Sequence, residues 1–251
     1  MPMFTLPIDI AVGLVMLFVA GLARGFTGFG MGIVAIPLLS LMMPPTDAVV
    51  IVLLLQVYVS LLNFQTSVRL CHWPLVNRLT IGSIVATPVG SWALIYLSAN
   101  MLRLCIAVIV LATAVTLAAG YRLKMIPSGR KVLALGVASG ILNGLAGMSG
   151  PPVVAFFLAA PLSVAVARAS MIIFFLISSI LALIPLAMFG KFHLWSMAGS
   201  VVGLPVVLLG SVAGTKLYLS SHEGHFRFIS IGLLVLAAVL AGMRALDGFM
   251  A

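Results

Sequence analysis

Charged residues are scarce in this chain of 251 residues. They make up 7% of the sequence, hydrophobic residues make up 63%, and the mean hydropathy is +1.33. A soluble domain carries about a quarter charged residues, so this chain could not cover a core of its size in water. Apolar runs of about 18 or more residues recur from end to end, as in membrane-spanning helices. The composition predicts an all-α polytopic membrane protein.

Acidic residues are the scarcest of all. There are four, Asp9, Asp47, Glu223 and Asp247, each at the end of an apolar segment or in a loop. A pump or exchanger of cations normally carries a carboxylate within the membrane, and the sequence places none there. The four histidines lie in loops without the spacing of metal ligands, and the two cysteines have no motif spacing. We therefore expect no metal, no cofactor and no catalytic residue.

Ten apolar segments can be drawn along the chain. They are residues 8–24, 26–43, 47–68, 79–98, 102–121, 132–147, 151–161, 163–190, 195–219 and 227–245. Residues 1–9 lack the basic region of a signal peptide, so the first segment is expected to remain in the membrane. Eight to ten transmembrane segments are predicted.

Basic residues divide unequally between the two sides of these segments. Apart from Arg24, the loops after odd-numbered segments hold Arg69, Arg78, Arg122, Lys124, Arg130, Lys131, Arg168, Lys216 and Arg227, whereas the opposite side holds Arg103, Lys191 and Arg244. The positive-inside rule predicts an inner-membrane protein with both termini in the periplasm. The basic residues form no face with interleaved aromatics, so nucleic acid is not an expected partner.

The second half of the chain repeats the first. GSIVATPVGSWALIYLS (82–98) is similar to GSVVGLPVVLLGSVAGTKLYLS (199–220), and RLCIAVIVLA (103–112) is similar to RFISIGLLVLA (227–237). The similarity predicts two repeats, residues 1–125 and 126–251, of about five segments each. An odd number of segments inverts the second copy, an architecture of transporters with a site between the copies.

Glycine-rich breaks occur at equivalent points of both copies, in RGFTGFGMG (24–32) and GLAGMSG (144–150). Each lies in an apolar stretch too short for two full spans. The sequence therefore predicts a hairpin of short or half-helices in each copy, with irregular backbone at its tip beside a cavity. Close helix packing is the alternative, because Gly21/Gly25, Gly28/Gly32, Gly140/Gly144 and Gly210/Gly214 have small-xxx-small spacing.

Two arginines, Arg24 at the first tip and Arg168 in the eighth segment, have no acidic partner in the sequence nearby. A guanidinium in that position matches an oxyanion, although both side chains could instead snorkel to an interface. Glycine lets a ligand approach the backbone. The candidate substrate-binding residues are Arg24, Gly25, Thr27, Gly28, Gly30, Asn143, Gly147, Ser149, Gly150 and Arg168. For the hydroxyl and amide residues, hydrogen bonding between helices is the alternative.

Both halves carry the motifs of a known family. GLARGFTGFGMGIVAIPLL followed by PPTDAVV, and GVASGILNGLAGMSGPPVVAFFL, resemble the TauE/SafE family, the sulfite exporter and toluene sulfonate uptake permease group. The resemblance implies a secondary transporter that exports sulfite or an organosulfonate such as sulfoacetate. A homodimer is compatible with this resemblance. The sequence departs from the family's triple glycines at Met31, Ser149 and Pro151, which fall on the candidate site.

One alternative function is an intramembrane serine protease. GMSG (147–150) matches the G-x-S-G of rhomboid-type enzymes. Such an enzyme requires a histidine within hydrogen-bond reach of Ser149. His193 is the candidate that follows soonest, and it lies in a loop on the outer side. The chain is therefore expected not to be an enzyme.

Overall fold

The structure, a computed structural model, describes residues 7–27, 30–119, 125 and 127–220. Within these ranges the chain forms ten α-helices and no strand. They are α1 (Pro7–Thr27), α2 (Met31–Ser40), α3 (Pro45–Leu62), α4 (Phe64–Leu70), α5 (Trp73–Tyr96), α6 (Ala99–Ala119), α7 (Gly129–Ala146), α8 (Gly150–Ala159), α9 (Val164–Met188) and α10 (Leu194–Ser220). The predicted segment 227–245 lies outside the described residues.

Five of these helices, α1, α3, α5, α9 and α10, are long and apolar enough to cross a membrane. The predicted polytopic all-α fold is confirmed. The third predicted segment, 47–68, is divided into α3 and α4 at Asn63. The Asn63 side-chain amide donates to the Val59 carbonyl at 3.2 Å, and such local bonds compete with the backbone bonds of a helix.

Helix α3 forms the centre of the molecule. Residues 48–55, AVVIVLLL, are apolar on every side of the helix, which is typical of a helix enclosed by protein. All eight are buried. Helices α2, α9 and α10 pack around α3, so the short helix α2 is held deep in the bundle.

Glycines bring two pairs of helices into close contact, α1 with α10 and α5 with α7. Gly21 and Gly25 lie against the carbonyls of Val207 and Ser211, and a Cβ at either glycine would collide with them. The predicted packing of Gly210 and Gly214 is confirmed by their contact with α1. The contacting residues follow one another in the same direction along both helices, so α1 and α10 are parallel.

The second pair, α5 and α7, is built in the same way. Gly82 and Gly90 of α5 lie against the α7 backbone, and Gly136, Gly140 and Gly144 of α7 lie against α5. Helix α5 corresponds to α10 in the sequence repeat, and α7 corresponds to α1. Under the predicted repeat, the two glycine-packed pairs are equivalent, and each joins one copy to the other.

The contacts place the starts of α1 and α7 at opposite ends of the bundle. Helix α9 ends beside the start of α10, because residues 189–193 connect them, and therefore beside the start of α1. Helix α5 begins at the far end of α9, where the His72 amide donates to Ser170 Oγ at 2.9 Å. Helix α7 begins there too, with Gly129 against Arg78. In an inverted repeat, corresponding helices of the two copies start at opposite ends of the bundle, as α1 and α7 do. The repeat boundaries and complete inversion remain predictions.

Helices α1 and α2 form one hairpin, and helices α7 and α8 form the other. The returning arms, α2 and α8, are half-helices of 10 residues, as predicted. The entering arms are longer than the prediction, with 21 and 18 residues. Helix α1 continues through Arg24 and Gly25 to Thr27 because Gly25 packs in helical conformation against α10.

Candidate functional site

The tips of the two hairpins meet inside the bundle. A Cβ on Gly32, in the first turn of α2, would lie 3.3 Å from the carbonyl oxygen of Gly147 at the second tip. The position of a Cβ on Gly147 is enclosed by Ile36 and Val49, and that on Gly150 is 3.3 Å from Ile33. The second tip therefore rests directly on the α2–α3 layer.

In the described part of each tip, one glycine lies in the left-handed region. Gly30 precedes α2 with φ 97°, and Gly147 follows α7 with φ 62°. Gly147 closes α7 as left-handed glycines close many helices. Its amide donates to the Asn143 carbonyl at 2.7 Å, and the Met148 amide donates to the Leu142 carbonyl at 3.4 Å. Two glycines of the predicted site are thus required by the backbone itself.

A cluster of buried polar side chains surrounds the second tip. Ser139 Oγ donates to the Ser149 carbonyl at 2.7 Å, and Asn143 Nδ2 donates to the Ser178 carbonyl at 2.6 Å. Ser149 Oγ and Ser178 Oγ are 3.0 Å apart. Asn143 is fully buried, and its Oδ1 makes no hydrogen bond with any residue that the structure describes. The tip is thereby fixed to α7 and α9.

Arg24 lies in the last turn of α1, one turn before the first tip. It is only 7% exposed. Within the described part of the chain its guanidinium makes no hydrogen bond and no ion pair. The charged group that acts on it is Arg168, near the start of α9, whose side chain is exposed. Neither arginine is paired with an acid among the residues that the structure describes.

Two acidic residues belong to the described chain: Asp9 lies in the first turn of α1, at the other end of that helix from Arg24, and Asp47 also lies away from the tips. It begins α3 at the end of the bundle where α10 starts, with its Oδ1 3.9 Å from His193 Nε2. The absence of a carboxylate from the helix interiors, predicted from the sequence, holds for the residues described here. No described acidic side chain therefore balances the positive charge of Arg24 near the first tip.

The remaining candidate residues occupy three kinds of position. Gly25 packs against Ser211 within the α1–α10 contact. Thr27 ends α1, and Gly150 begins α8. Gly28 lies outside the described residues. Which of these residues contact a substrate remains a prediction.

Two serines of the polar cluster were not among the predicted site residues. Ser139 stands four residues before Asn143, on the same face of α7, and that spacing could have linked them. Ser178 lies within a long apolar segment, where hydrogen bonding between helices is the commoner use of a serine and a site role is the alternative. Its bonds to α7 and to the tip confirm the hydrogen bonding between helices, but its proximity to Ser149 could not be read from positions 29 residues apart.

The protease alternative is not supported. Ser149 Oγ has Ser178 Oγ as its hydrogen-bonding neighbour. His193, the histidine it would need, is beside Asp47, next to the start of α10. Among the described residues no histidine is hydrogen-bonded to Ser149, so the nucleophile lacks its base.

The fold and the site define a polytopic helical membrane protein with two broken hairpins that meet in its interior. The family model described as Sulfite exporter TauE/SafE matches residues 13–241. The chain belongs to the TauE/SafE family, a family of membrane transporters, and the predicted resemblance is confirmed.

One curated relative supports the same assignment. The chain is 27% identical over 222 residues to the protein named "Probable sulfite/organosulfonate exporter TauE" of Cupriavidus necator, strain H16. The match covers 83% of this chain and 84% of the relative. No solved structure matches the chain significantly.

Proposed function

We propose that this protein is a secondary transporter that exports small anions, sulfite or an organosulfonate such as sulfoacetate, across the inner membrane. The anion binds between the two hairpin tips. The observation that carries this proposal is the buried Arg24 guanidinium, which has no acidic partner among the described residues. A buried charge without a partner is destabilising by several kcal/mol, and a bound oxyanion would relieve that cost.

Helix α2 supplies a second source of positive potential. The N–H groups of its first turn have no partner within the helix, and the helix dipole adds partial positive charge at the same end. The first intrahelical bond runs from the Val34 amide to the Gly30 carbonyl at 3.1 Å. The amides of Met31, Gly32 and Ile33 therefore face the tip and are suited to an anion.

The arrangement of the hairpins suits transport. They enter the bundle from opposite ends and meet at Gly32 and Gly147, so a ligand between them could be reached from either side as the copies move. In this proposal residues 1–125 and 126–251 are the two inverted repeats, and both termini are periplasmic. Transport of a bound anion involves no covalent step, so the protein is not an enzyme.

The choice of substrate rests on the relative. That relative is named as a probable exporter of sulfite or an organosulfonate, and both are small oxyanions that a guanidinium fork can hold.

A thermal-shift screen of the purified protein tests the proposal. Sulfite, sulfoacetate, taurine, sulfate, oxalate and pyruvate are compared at equal ionic strength. A ligand of the folded state raises the melting temperature by mass action, by about 5 °C near a hundredfold excess over its Kd. We expect sulfite or an organosulfonate to give the largest rise. Cooperative melting that no sulfur oxyanion shifts would contradict the proposal.

A further inference from the structure

The two tips differ in chemistry, although the sequence repeat makes them equivalent. The first tip offers hydrogen-bond donors and positive charge. The second offers acceptors. We propose that the second tip binds a small monovalent cation beside the substrate anion, through Asn143 Oδ1, Ser149 Oγ and Ser178 Oγ. The inference rests on the proposed anion site, because the cation is taken to be a co-bound, coupling ion.

The hydroxyl protons of the cluster are all used within the protein. Ser139 donates to the Ser149 carbonyl, and Ser178 donates to the Phe175 carbonyl at 3.2 Å. With the Ser178 proton on the Phe175 carbonyl, Ser149 is the donor in the contact between the two hydroxyls, a contact whose geometry alone allows either oxygen to donate. Each hydroxyl oxygen still has lone pairs to offer. The cluster therefore presents oxygen lone pairs and no hydroxyl proton to a ligand.

The orientation of the Asn143 amide is fixed by the same geometry. Its Nδ2 lies 2.6 Å from the Ser178 carbonyl. A flipped amide would place two carbonyl-type oxygens at that distance, so Nδ2 must face Ser178. The side chain is fully buried, and Oδ1 is an acceptor without a hydrogen bond to any described residue. Such a buried acceptor costs about 1–3 kcal/mol unless a donor or a cation satisfies it.

The backbone at the second tip also disfavours an anion. Helix α8 begins Gly150–Pro151–Pro152, and two prolines remove N–H groups from the turn that would otherwise bind one. The same tip holds the carboxyl end of α7, whose dipole is negative there. In transporters with broken helices, such carboxyl ends and unwound carbonyls coordinate the coupling cation.

The charge of the site sets the charge of the ion. The proposed ligands are neutral oxygens, the donor type that hard cations prefer, and Asp47, the buried carboxylate of the described chain, is at the end of the bundle. A divalent ion would need two negative charges to balance it, and the protein ligands supply none. A monovalent ion needs only one, which the bound anion can supply. The contact of Gly32 with Gly147 places the cation next to the amino end of α2, where the anion binds.

The test measures melting of the full-length protein in detergent in sodium, potassium or choline chloride at constant ionic strength. We expect sodium to raise the melting temperature relative to choline, by about 5 °C at saturation. Asn143→Leu should raise the half-saturating sodium concentration about tenfold or more. Ser149→Ala, which removes one oxygen, is the second variant and keeps the test decisive if Asn143→Leu does not fold.

Ser83→Ala is the matched control. It loses a buried hydroxyl of the same kind, which donates to the Gly136 carbonyl at 3.0 Å in the α5–α7 contact, away from the tip. Its sodium response should equal that of the wild type. No difference between sodium, potassium and choline, or an equal response in the wild type and Ser149→Ala, would overturn the cation site. Sulfite is titrated in parallel, so wild-type protein that binds sulfite but shows no sodium effect refutes the cation site and leaves the anion site standing.

Discussion

Arg24 is the residue on which the account depends. Its sequence neighbours alone could not tell whether it reaches the membrane surface or stays inside, because both outcomes fit an arginine one turn before a helix break. The structure buries it and brings Arg168 near it. Burial of the Arg24 charge is the larger cost, and repulsion from Arg168 adds to it. Arg168 is exposed, and its role as an interface anchor stays open to the same test.

Replacing Arg24 should weaken anion binding more than replacing Arg168. A charged hydrogen bond contributes about 1.5–3 kcal/mol, so Arg24→Ala should raise the Kd for sulfite roughly ten- to a hundredfold. Arg24→Lys should recover part of the affinity, since it keeps the charge but loses the guanidinium fork. Calorimetry in detergent measures all three variants, with Arg168→Ala expected to lose less. Unchanged affinity for sulfite in folded Arg24→Ala would mean that groups other than Arg24 bind the anion.

At the scale of the elements, the apolar segments were predictable and the second arms of the hairpins were predictable as half-helices. How far a helix continues past a glycine could not be predicted. Gly25 reads as part of a break in the sequence, but it continues α1 because α10 packs against it. The contacts of the tip were also hidden, since Asn143 and Ser178 meet only through the packing of α7 on α9.

Gly210→Val should destabilise the protein without any direct effect on the site. A Cβ at this position collides with the Phe18 carbonyl of α1, and overpacking of this kind costs about 1–3 kcal/mol or more. The yield of monodisperse protein and its melting temperature should both fall. Leu209→Ala, at a neighbouring side chain that is 65% exposed, is the control. Equal effects of the two substitutions would argue against close α1–α10 packing.

Gly32→Ala tests the contact between the tips. The new Cβ would approach the Gly147 carbonyl oxygen to 3.3 Å, so the tips must separate by a few tenths of an ångström. Alanine also favours helix over glycine by up to about 1 kcal/mol. We expect transport to fall while the melting temperature holds or rises.

Gly199→Ala is the matched substitution for the tip contact. Its Cβ would make an ordinary contact, 3.6 Å from Ile51 Cδ1, in a helix that gains the same propensity. Transport by this variant should equal that of the wild type. If Gly32→Ala transports equally well, the separation of the tips does not matter for function.

For the whole molecule, the charge pattern predicts which end faces the cytoplasm. In a background with Cys71→Ser and Cys105→Ser, Met125→Cys should resist a membrane-impermeant maleimide in intact cells, whereas Leu194→Cys should react. Both native side chains are exposed, and they belong to opposite ends of the bundle. Cys71 is replaced in this background because burial raises the pKa of its thiol, which slows its reaction with the maleimide without preventing it. Labelling of Met125→Cys in intact cells would invert the proposed topology.

Sulfite flux across proteoliposomes tests the central claim most directly. Wild-type protein should carry labelled sulfite across the bilayer with saturable kinetics, and sulfoacetate should compete. Arg24→Ala, reconstituted in equal amount, should show at least about tenfold lower flux at subsaturating sulfite, because its affinity is lower. Wild-type flux no greater than that of empty liposomes, or equal flux through both proteins, would contradict an anion site built around Arg24.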